Sequence, residues 1–379
     1  KKSIDYEEKT NNKKKQQDLA TKEIRKTFET KNYNDSLKVQ SEFAVERLSH
    51  QKELSKKQNI IYLSIIGFIV LFASLFFIIQ TNKRRKKLNT ILSEKNELIV
   101  HQKMIVEEKN KSISDSINYA QRLQAAILPS LESIESSLPN SFLINLPKDI
   151  ISGDFYWFEK KNNLLMIAVA DCTGHGVPGA MVSVVCSNAL NRSVKEFGLS
   201  NPSDVLNKTR ELVIETFQSA EGEGEVEDGM DIALCMIDVE KNELSFSGAN
   251  NPLWIIRNQL EEKIETEFLL SNEELTLYEL KGNKQPIGNF DFATDFQQKS
   301  VRLHPNDSIY IFSDGFADQF GGERDKKFTT KRMKELLLEI NSMPFKKQKD
   351  VLLTKFNSWK NGNDQIDDVC LFGFNISKK

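Results

Sequence analysis

Four short acidic motifs in the second half of the chain have residue types suited to metal chemistry. Three of them place an aspartate beside or close to glycine, where a strand is predicted to end: SGD at 152–154, DCTG at 171–174 and SDG at 313–315. The fourth is the pair Asp367-Asp368, which directly precedes a predicted final strand. Carboxylates at the ends of strands can converge on one edge of a sheet, even when long stretches of sequence separate them.

Carboxylates that converge repel one another, and a divalent cation that prefers oxygen ligands, Mg²⁺ or Mn²⁺, removes this repulsion. Two such ions would bridge a water, lower its pKa and hold a phosphate in line for attack. The neighbouring glycines let the backbone approach the ions and offer carbonyl ligands. Each motif alone is more often a turn or a cap than a ligand site, so the prediction depends on all four occurring together.

The elements that must position these motifs begin at about Phe142. Predicted strands lie at 164–169, 232–239, 243–247, 253–257, 275–280, 297–303, 308–312 and 369–375, and predicted helices at 178–197, 202–219, 330–340 and 345–359. Runs of strands framed by pairs of helices predict an α+β sandwich rather than a doubly wound parallel sheet. The acidic stretch 221–228 is predicted to be a mobile loop.

A stretch without charge, Ile60–Ile79, precedes this region. About 20 apolar residues are enough to cross a hydrocarbon core of about 30 Å as a helix. We therefore predict a single-pass transmembrane helix over 59–80 and a location in the cell membrane. The basic cluster KRRKK at 83–87 favours a cytoplasmic position for the catalytic domain, although lysines on the other flank, at 52, 56 and 57, weaken the asymmetry.

The segments on either side of the span read as helical. Residues 1–58 are polar and are interpreted as an input region, a truncated sensor or helical repeat. Over 81–129 an apolar residue recurs every seven positions: Leu92, Ile99, Val106, Ile113, Ala120 and Ile127. This period predicts a coiled-coil linker and, most simply, a parallel homodimer; the alternative is a single amphipathic helix on its own domain. The catalytic domain is predicted over 130–379.

Composition excludes two other classes of site. The net charge of -2 argues against a nucleic-acid partner, which normally requires a concentrated basic face. The four cysteines lie far apart without a C-x-x-C pair, so neither a disulfide framework nor a zinc site is expected.

Taken together, these motifs resemble the SpoIIE-like branch of the metal-dependent protein phosphatase superfamily (PPM, type 2C). The matching stretches, within about 142–376, are SGDFYW, IAVADCTGHGVPGAMVS, GANNPLW, KQPIG, IFSDGFAD and IDDVCLFGF. The resemblance implies a PPM-type α-β-β-α sandwich of two packed, mainly antiparallel sheets flanked by helices. It also implies a serine/threonine phosphatase with two Mn²⁺ or Mg²⁺ ions, in which a metal-activated water attacks phosphorus. Its substrate would be a phosphoserine or phosphothreonine protein, for example an anti-sigma-factor antagonist.

The resemblance also assigns roles to individual residues. Asp154 and Asp171 would be metal ligands, and Asp171 would bridge the two ions and act in catalysis. Cys172 would offer its backbone carbonyl, so that its thiol need not matter. Asp314 and Asp367 would complete the site.

Two assignments stay open. Asp368 is the less favoured neighbour of Asp367 as a ligand. His175 is either a general acid that protonates the leaving serine oxygen or a structural residue in a glycine turn. Four positions depart from the usual pattern of the branch without removing a proposed ligand: Ser152, Trp157, Asn250 and Cys370.

Three other functions share features of this sequence with a membrane-anchored phosphatase. A sensor kinase shares the layout of span, coiled coil and cytoplasmic domain, with His101 as phosphoacceptor, but no ATP-binding segment follows. A nucleotide cyclase needs a further acidic signature where Phe-Tyr-Trp stands at 155–157. A catalytically inactive binding module of the same fold remains the main alternative, although a decayed site should have lost carboxylates that repel one another without metal.

Overall fold

The computed structural model describes residues 4–218 and 228–376. The predicted acidic loop at 221–228 therefore lies outside the described residues, except for Asp228. The chain divides into two units, Lys1–Ile105 and Val106–Lys379, and each is described by itself. Helix α1 spans Ile4–Ile127 and ends two residues before Pro129.

In the first unit, every side chain of the apolar stretch Ile60–Ile79 is exposed. A buried core helix is thus not the reason for its apolar composition. Its length and composition alone permit it to cross a membrane. Because α1 continues without a break through 58 and 80, the predicted segment boundaries at these positions stay predictions.

In the second unit, short helices and strands follow α1. They are α2 (Leu131–Ser137), β1 (Ser141–Leu146), β2 (Phe155–Lys161), β3 (Leu164–Cys172), α3 (Gly176–Lys195), α4 (Pro202–Gln218), β4 (Met230–Asp238), β5 (Glu243–Ala249), β6 (Leu253–Asn258), β7 (Glu267–Ser271), β8 (Leu275–Leu280), β9 (Lys299–Arg302), β10 (Ser308–Phe312), α5 (Gly315–Asp318), β11 (Phe320–Gly321), β12 (Lys326–Lys327), α6 (Thr330–Ile340), α7 (Phe345–Lys360) and β13 (Val369–Phe374).

The strands form two antiparallel sheets. The order β1-β13-β10-β6-β8-β7 gives a six-stranded sheet, and β2-β3-β4-β5-β9 gives a five-stranded sheet. Strands β11 and β12 form a separate short hairpin. The prediction of an α+β sandwich with two mainly antiparallel sheets flanked by helices is confirmed.

Three apolar layers hold the sandwich together, one between the sheets and one under each pair of helices. Neighbouring residues of a strand alternate between layers: Ile167 packs between the sheets, whereas Ala168 faces α3 and α4. In β6, Ile255 packs between the sheets and Trp254 faces α6 and α7. Because successive side chains of a strand point to opposite faces, central strands covered on both faces must be continuously apolar.

Strands β1, β2 and β7 were not predicted from the sequence. One consequence is a correction: Asp154 precedes β2 and does not end a strand. Because β2 and β3 are antiparallel, with Phe155 opposite Ala170, the start of β2 lies beside the end of β3. Asp154 and Asp171 therefore share one edge of the sheet, although Asp154 lies before a strand and not after one as the sequence predicted.

A buried ion pair joins β6 to the loop before β10. The Arg257 side chain donates from Nε to Asp307 Oδ1 at 2.9 Å and from a terminal nitrogen to Oδ2 at 2.6 Å. Both side chains are at most 3% exposed. Such a pair is not evidence of net stabilisation, but removal of one partner leaves the other charge buried without compensation.

We expect the substitution Asp307→Ala to lower the free energy of unfolding by about 3–5 kcal/mol, because the Arg257 guanidinium then lacks its counter-charge. Urea denaturation of the full chain, followed by tryptophan fluorescence, measures this, since all three tryptophans lie in the second unit. The control Lys241→Ala breaks a surface pair with Asp238 and should change the free energy little. Equal effects of both substitutions would contradict the prediction.

Candidate metal centre

Aspartates from four separate motifs come together at one edge of the sandwich. Asp154 lies before β2, Asp171 near the end of β3, Asp314 after β10 and Asp367 before β13. The pKa values of the first three are raised in part by the charges of other aspartates of this group. The structure thus places the four predicted aspartates in one electrostatic cluster.

Asp154 is almost completely buried, with 3% of its surface exposed. Its Oδ2 accepts a hydrogen bond from Ser313 Oγ at 2.5 Å. Burial raises its pKa to about 8; the charges of Asp368 and Asp367 add to the rise, while hydrogen bonds from Ser313 and Asp171 oppose it. Without a cation, burial and the neighbouring charges thus favour the neutral form of Asp154.

The pKa of Asp171 is raised further than that of Asp154. Its pKa is raised to about 10, first by burial and then by the charges of Asp154, Asp314 and Asp367. Desolvation and like charges both disfavour the ionised form of a carboxyl group. Asp171 therefore needs either a proton or a cation at neutral pH, and it occupies the centre of the acidic cluster.

A fifth aspartate, Asp231, was missed by the sequence prediction. It is the second residue of β4 and lies directly opposite Asp171 in the register of β3 and β4. Burial raises its pKa, and a hydrogen bond from Asn250 Nδ2 at 2.8 Å opposes this rise. The motif Asp228-Gly229-Met230-Asp231, like the other motifs, places aspartate close to glycine at one end of a strand. This pattern in the sequence could have identified Asp231 as a candidate.

The acidic pair before β13 has two distinct environments. Asp368 is buried, and its two carboxylate oxygens accept the backbone N–H groups of Lys148 at 2.7 Å and Gly153 at 2.6 Å. Asp367 is partly exposed and accepts the N–H of Asp368 at 2.8 Å. This arrangement favours Asp367 as a ligand and Asp368 as the residue that holds the loop before Asp154. The ligand role of Asp367 stays a prediction.

The second motif packs tightly against the first. A Cβ atom added to Gly153 would lie 2.4 Å from the carbonyl oxygen of Gly174 and 3.4 Å from that of Cys172. No other residue type fits position 153 without a backbone shift. The Cys172 thiol is buried, and burial raises its pKa well above the usual range, so only its carbonyl oxygen is a candidate ligand.

His175 lies at the start of α3, with about half of its side chain exposed. Its Nδ1 lies 3.0 Å from Asp149 Oδ2, and its Nε2 lies 3.0 Å from Lys148 Nζ. The described contacts therefore join His175 to the loop after β1 and not to the five aspartates. Its predicted role as a general acid is not tested by these contacts, and neither partner was singled out from the sequence.

The family model of stage II sporulation protein E (SpoIIE) matches residues 161–377, more than half of the chain. The chain belongs to the SpoIIE family. Among curated relatives it is similar to the phosphoserine phosphatase RsbU of Bacillus subtilis (strain 168), with 26% identity over 217 residues, which are 56% of each chain. The match thus spans about half the length of that relative.

Two solved structures are similar to this SpoIIE-family chain. The SiaA PP2C domain of Pseudomonas aeruginosa is 28% identical, with a TM-score of 0.60, and the match covers 70% of this chain and 98% of that domain. The PP2C domain of SpoIIE from Bacillus subtilis, with a fragment of its regulatory domain, is 16% identical with a TM-score of 0.48; the match covers 62% of each chain. The sandwich of this chain is a PP2C-type fold.

The donor set of this SpoIIE-family site fits a hydrated hard cation. Among the residues that the structure describes, no group of three or more His, Cys, Asp or Glu side chains is placed so that it could hold a metal ion by itself, so waters and backbone oxygens would have to contribute ligands. Mg²⁺ usually keeps several waters and is bound through one or two carboxylates rather than by an all-protein cage. Buried aspartates that repel one another, beside the carbonyl oxygens of Cys172 and Gly174, provide the oxygen ligands such an ion prefers.

The end of α1 contacts the loop that leads to Asp154. Gln124 Nε2 donates to the carbonyl oxygen of Ser152 at 2.6 Å and to Ser183 Oγ, in α3, at 3.0 Å. In return, Gln124 Oε1 accepts the N–H of Ser152 at 3.3 Å. One amide side chain therefore fixes both the backbone two residues before Asp154 and the helix that follows the second motif.

In the presence of a chelator, we expect the stability of the protein to fall as the pH rises from about 5 to about 9. The folded pKa values of Asp154 and Asp171, about 8 and about 10, lie above the ordinary value of 3.8. The native state then binds more protons than the unfolded state in this range, so stability decreases with pH. Melting temperatures at several pH values measure the slope.

The substitution Asp171→Asn should make this slope shallower, because the amide does not ionise. The exposed Asp295 gives the matched control Asp295→Asn, which should retain the slope of the unaltered protein. Identical slopes in all three proteins would contradict the placement of Asp171 in a desolvated, repulsive cluster.

Proposed function

We propose that this chain is a membrane-anchored, metal-dependent protein serine/threonine phosphatase. The observation that carries the proposal is the convergence of five aspartates, from elements far apart in sequence, on one edge of a PP2C-type sandwich. Membership of the SpoIIE family and similarity to a phosphoserine phosphatase support the same reaction class.

The aspartates of the cluster would hold two Mn²⁺ or Mg²⁺ ions: Asp154, Asp171, Asp231, Asp314 and Asp367. When bound, such ions neutralise the charge of a phosphate and lower the pKa of a water. The backbone carbonyl of Cys172 would add an oxygen ligand. Asp171 would be a ligand shared by the whole cluster, because the charges of the four other aspartates act on it.

The other residues of the site orient these ligands. Ser313 fixes one oxygen of Asp154, and Asp368 holds the backbone of Gly153. The Cys172 thiol is buried with a raised pKa, so Cys172 is not available as a thiolate nucleophile. Direct attack of water on phosphorus, without a phosphorylated enzyme, is consistent with this arrangement.

The proposed substrate is a phosphoserine or phosphothreonine protein. The similarity to RsbU, named a phosphoserine phosphatase, supports phosphoserine. The family resemblance in the sequence motifs adds the anti-sigma-factor antagonists as the class of protein to examine first.

Membrane anchoring and dimerisation are part of the proposal. The apolar residues at 60–79 and those that recur every seven positions from Leu92 to Ile113 are exposed in the single chain. A lipid bilayer would cover the first set, and the same face of a second copy in a parallel coiled coil would cover the second. The chain would then be a single-pass protein of the cell membrane with its catalytic domain in the cytoplasm.

We expect the full chain in detergent to hydrolyse para-nitrophenyl phosphate and a phosphoserine peptide with Mn²⁺ and to lose this activity with a chelator. The substitution Asp171→Asn should lower kcat by about 100-fold or more, because charge stabilisation at the reacting phosphate is lost. The exposed control Asp295→Asn should keep full activity.

Two other outcomes separate the alternatives. If Mn²⁺ raises the melting temperature but no substrate is hydrolysed, the metal centre is present without the reaction. If Mn²⁺ neither stabilises the protein nor supports turnover, the inactive binding module replaces the phosphatase as the best interpretation.

We also propose that the end of α1 controls the metal centre through Gln124. The substitution Gln124→Ala removes three hydrogen bonds, two of them to the backbone of Ser152, and loosens the loop before Asp154. The Mn²⁺ concentration for half-maximal activity should rise at least about fivefold, which corresponds to the net loss of about 1 kcal/mol that one such hydrogen bond contributes. The control Gln121→Ala alters an exposed position three residues earlier in α1 and should change nothing. Equal metal dependence of both variants would contradict this coupling.

A further inference from the structure

Lys148, His175 and Asp149 form a chain of polar contacts beside the acidic cluster. Lys148 Nζ lies 3.0 Å from His175 Nε2, and Asp149 Oδ2 lies 3.0 Å from Nδ1 of the same ring. The His175 and Asp149 side chains are each about half exposed. Both ring nitrogens are thus occupied by side chains of the loop between β1 and β2.

The chemistry of the two partners defines which ring nitrogen of His175 carries the hydrogen. An ammonium group can only donate, so Nε2 accepts from Lys148. A carboxylate can only accept, so Nδ1 carries the hydrogen and donates it to Asp149. In this arrangement the ring is neutral and has no free N–H group to offer to a leaving oxygen.

Backbone contacts and sequence position connect Lys148 and His175 to the loops that carry the first and second acidic motifs. The N–H of Lys148 donates to Asp368, whose other oxygen holds Gly153, the residue before Asp154. His175 follows Asp171 by four residues and opens α3. The Lys148 ammonium is therefore held by elements that also hold the first and second motifs.

The charge of Lys148 is not neutralised by a direct ion pair. Within the described residues, its ammonium contacts the neutral His175 ring and no carboxylate lies within 4 Å. Lys327, whose charge acts on Asp314, is by contrast paired with Asp318 at 2.6 Å. A phosphate ester carries a charge of about -1.5 to -2 at neutral pH. The aspartates of the acidic cluster repel such a group.

We infer that Lys148 binds the phosphate group of the substrate, and that His175, oriented by Asp149, is a positioning residue that holds the ammonium for this contact. This inference rests on the proposed function. It replaces the general-acid role of His175 with an indirect one, because the ring acts on the substrate through Lys148. No proton transfer by the ring is required.

The test uses the full chain in detergent with Mg²⁺ and two measurements. Isothermal titration gives the Kd of inorganic phosphate, and hydrolysis of a phosphoserine peptide gives kcat and KM. We expect Lys148→Met to raise Kd and KM by about 10- to 100-fold, as loss of a hydrogen bond to a charged group predicts. Lys148→Arg should restore most of the affinity. Lys161→Met, at the opposite end of β2, is the matched control and should behave like the unaltered protein.

A double-mutant cycle tests whether His175 acts through Lys148. His175→Gln should raise Kd and KM by about three- to tenfold in the unaltered chain and produce no further rise in the Lys148→Met background. Asp149→Asn should resemble His175→Gln. The inference is wrong if His175→Gln lowers kcat at constant KM by the same factor in both backgrounds, since the ring would then act on the reaction directly.

Phosphate binding separates this inference from the proposed function. If the unaltered chain binds phosphate but hydrolyses no ester, the phosphatase proposal fails, and a weaker Kd in Lys148→Met still supports the Lys148 contact. If Lys148→Met leaves the Kd unchanged, or if the unaltered chain binds no phosphate at millimolar concentration, the contact is refuted. Melting temperatures of all variants exclude loss of folding as the cause.

Discussion

Repulsion among carboxylates that are partly or fully removed from water is the constraint on which the second unit depends. Asp154 and Asp171 are driven towards their neutral forms because burial and neighbouring charges act in the same direction. A fold that kept such groups for stability alone would gain nothing from them. The surrounding bonds from Ser313, Asn250 and the backbone keep the carboxylates oriented but do not neutralise them. The site is therefore prepared for positive charge from outside the chain.

The sandwich supplies the rigidity that this arrangement requires. Each sheet is apolar on both faces, so that the three layers of the core fix the strands from which the acidic loops emerge. Antiparallel pairing then brings the start of one strand beside the end of the next, which places loops from distant parts of the sequence side by side. Tight contacts such as that of Gly153 with the Gly174 carbonyl leave these loops little freedom. The positions of the carboxylates follow from the register of the sheets.

Sequence patterns predicted the elements that follow from composition, and they missed the residues whose roles follow from strand pairing. The long apolar strands, the helix pairs and the four motifs were visible because burial on both faces leaves a continuous apolar run. Asp231 was missed because only the pairing of β4 with β3 shows that it faces Asp171. Gln124 and Lys148 were missed for a related reason, since their side-chain contacts join segments between 27 and 59 residues apart. The prediction that Asp154 ends a strand was wrong because β2, which begins with the aromatic residues after Asp154, was not predicted.

The first and last strands of the second unit are neighbours: β1 pairs with β13 along its whole length, from Ser141 with Phe374 to Leu146 with Val369. During synthesis on the ribosome, β13 emerges after all the other strands of the second unit, and Asp367 and Asp368 leave the exit tunnel only shortly before it. The loop held by Asp368 can therefore close only after these other strands have been synthesised. Contacts so distant in sequence also slow folding. The acidic centre of the second unit thus forms only after its other strands are available to pair.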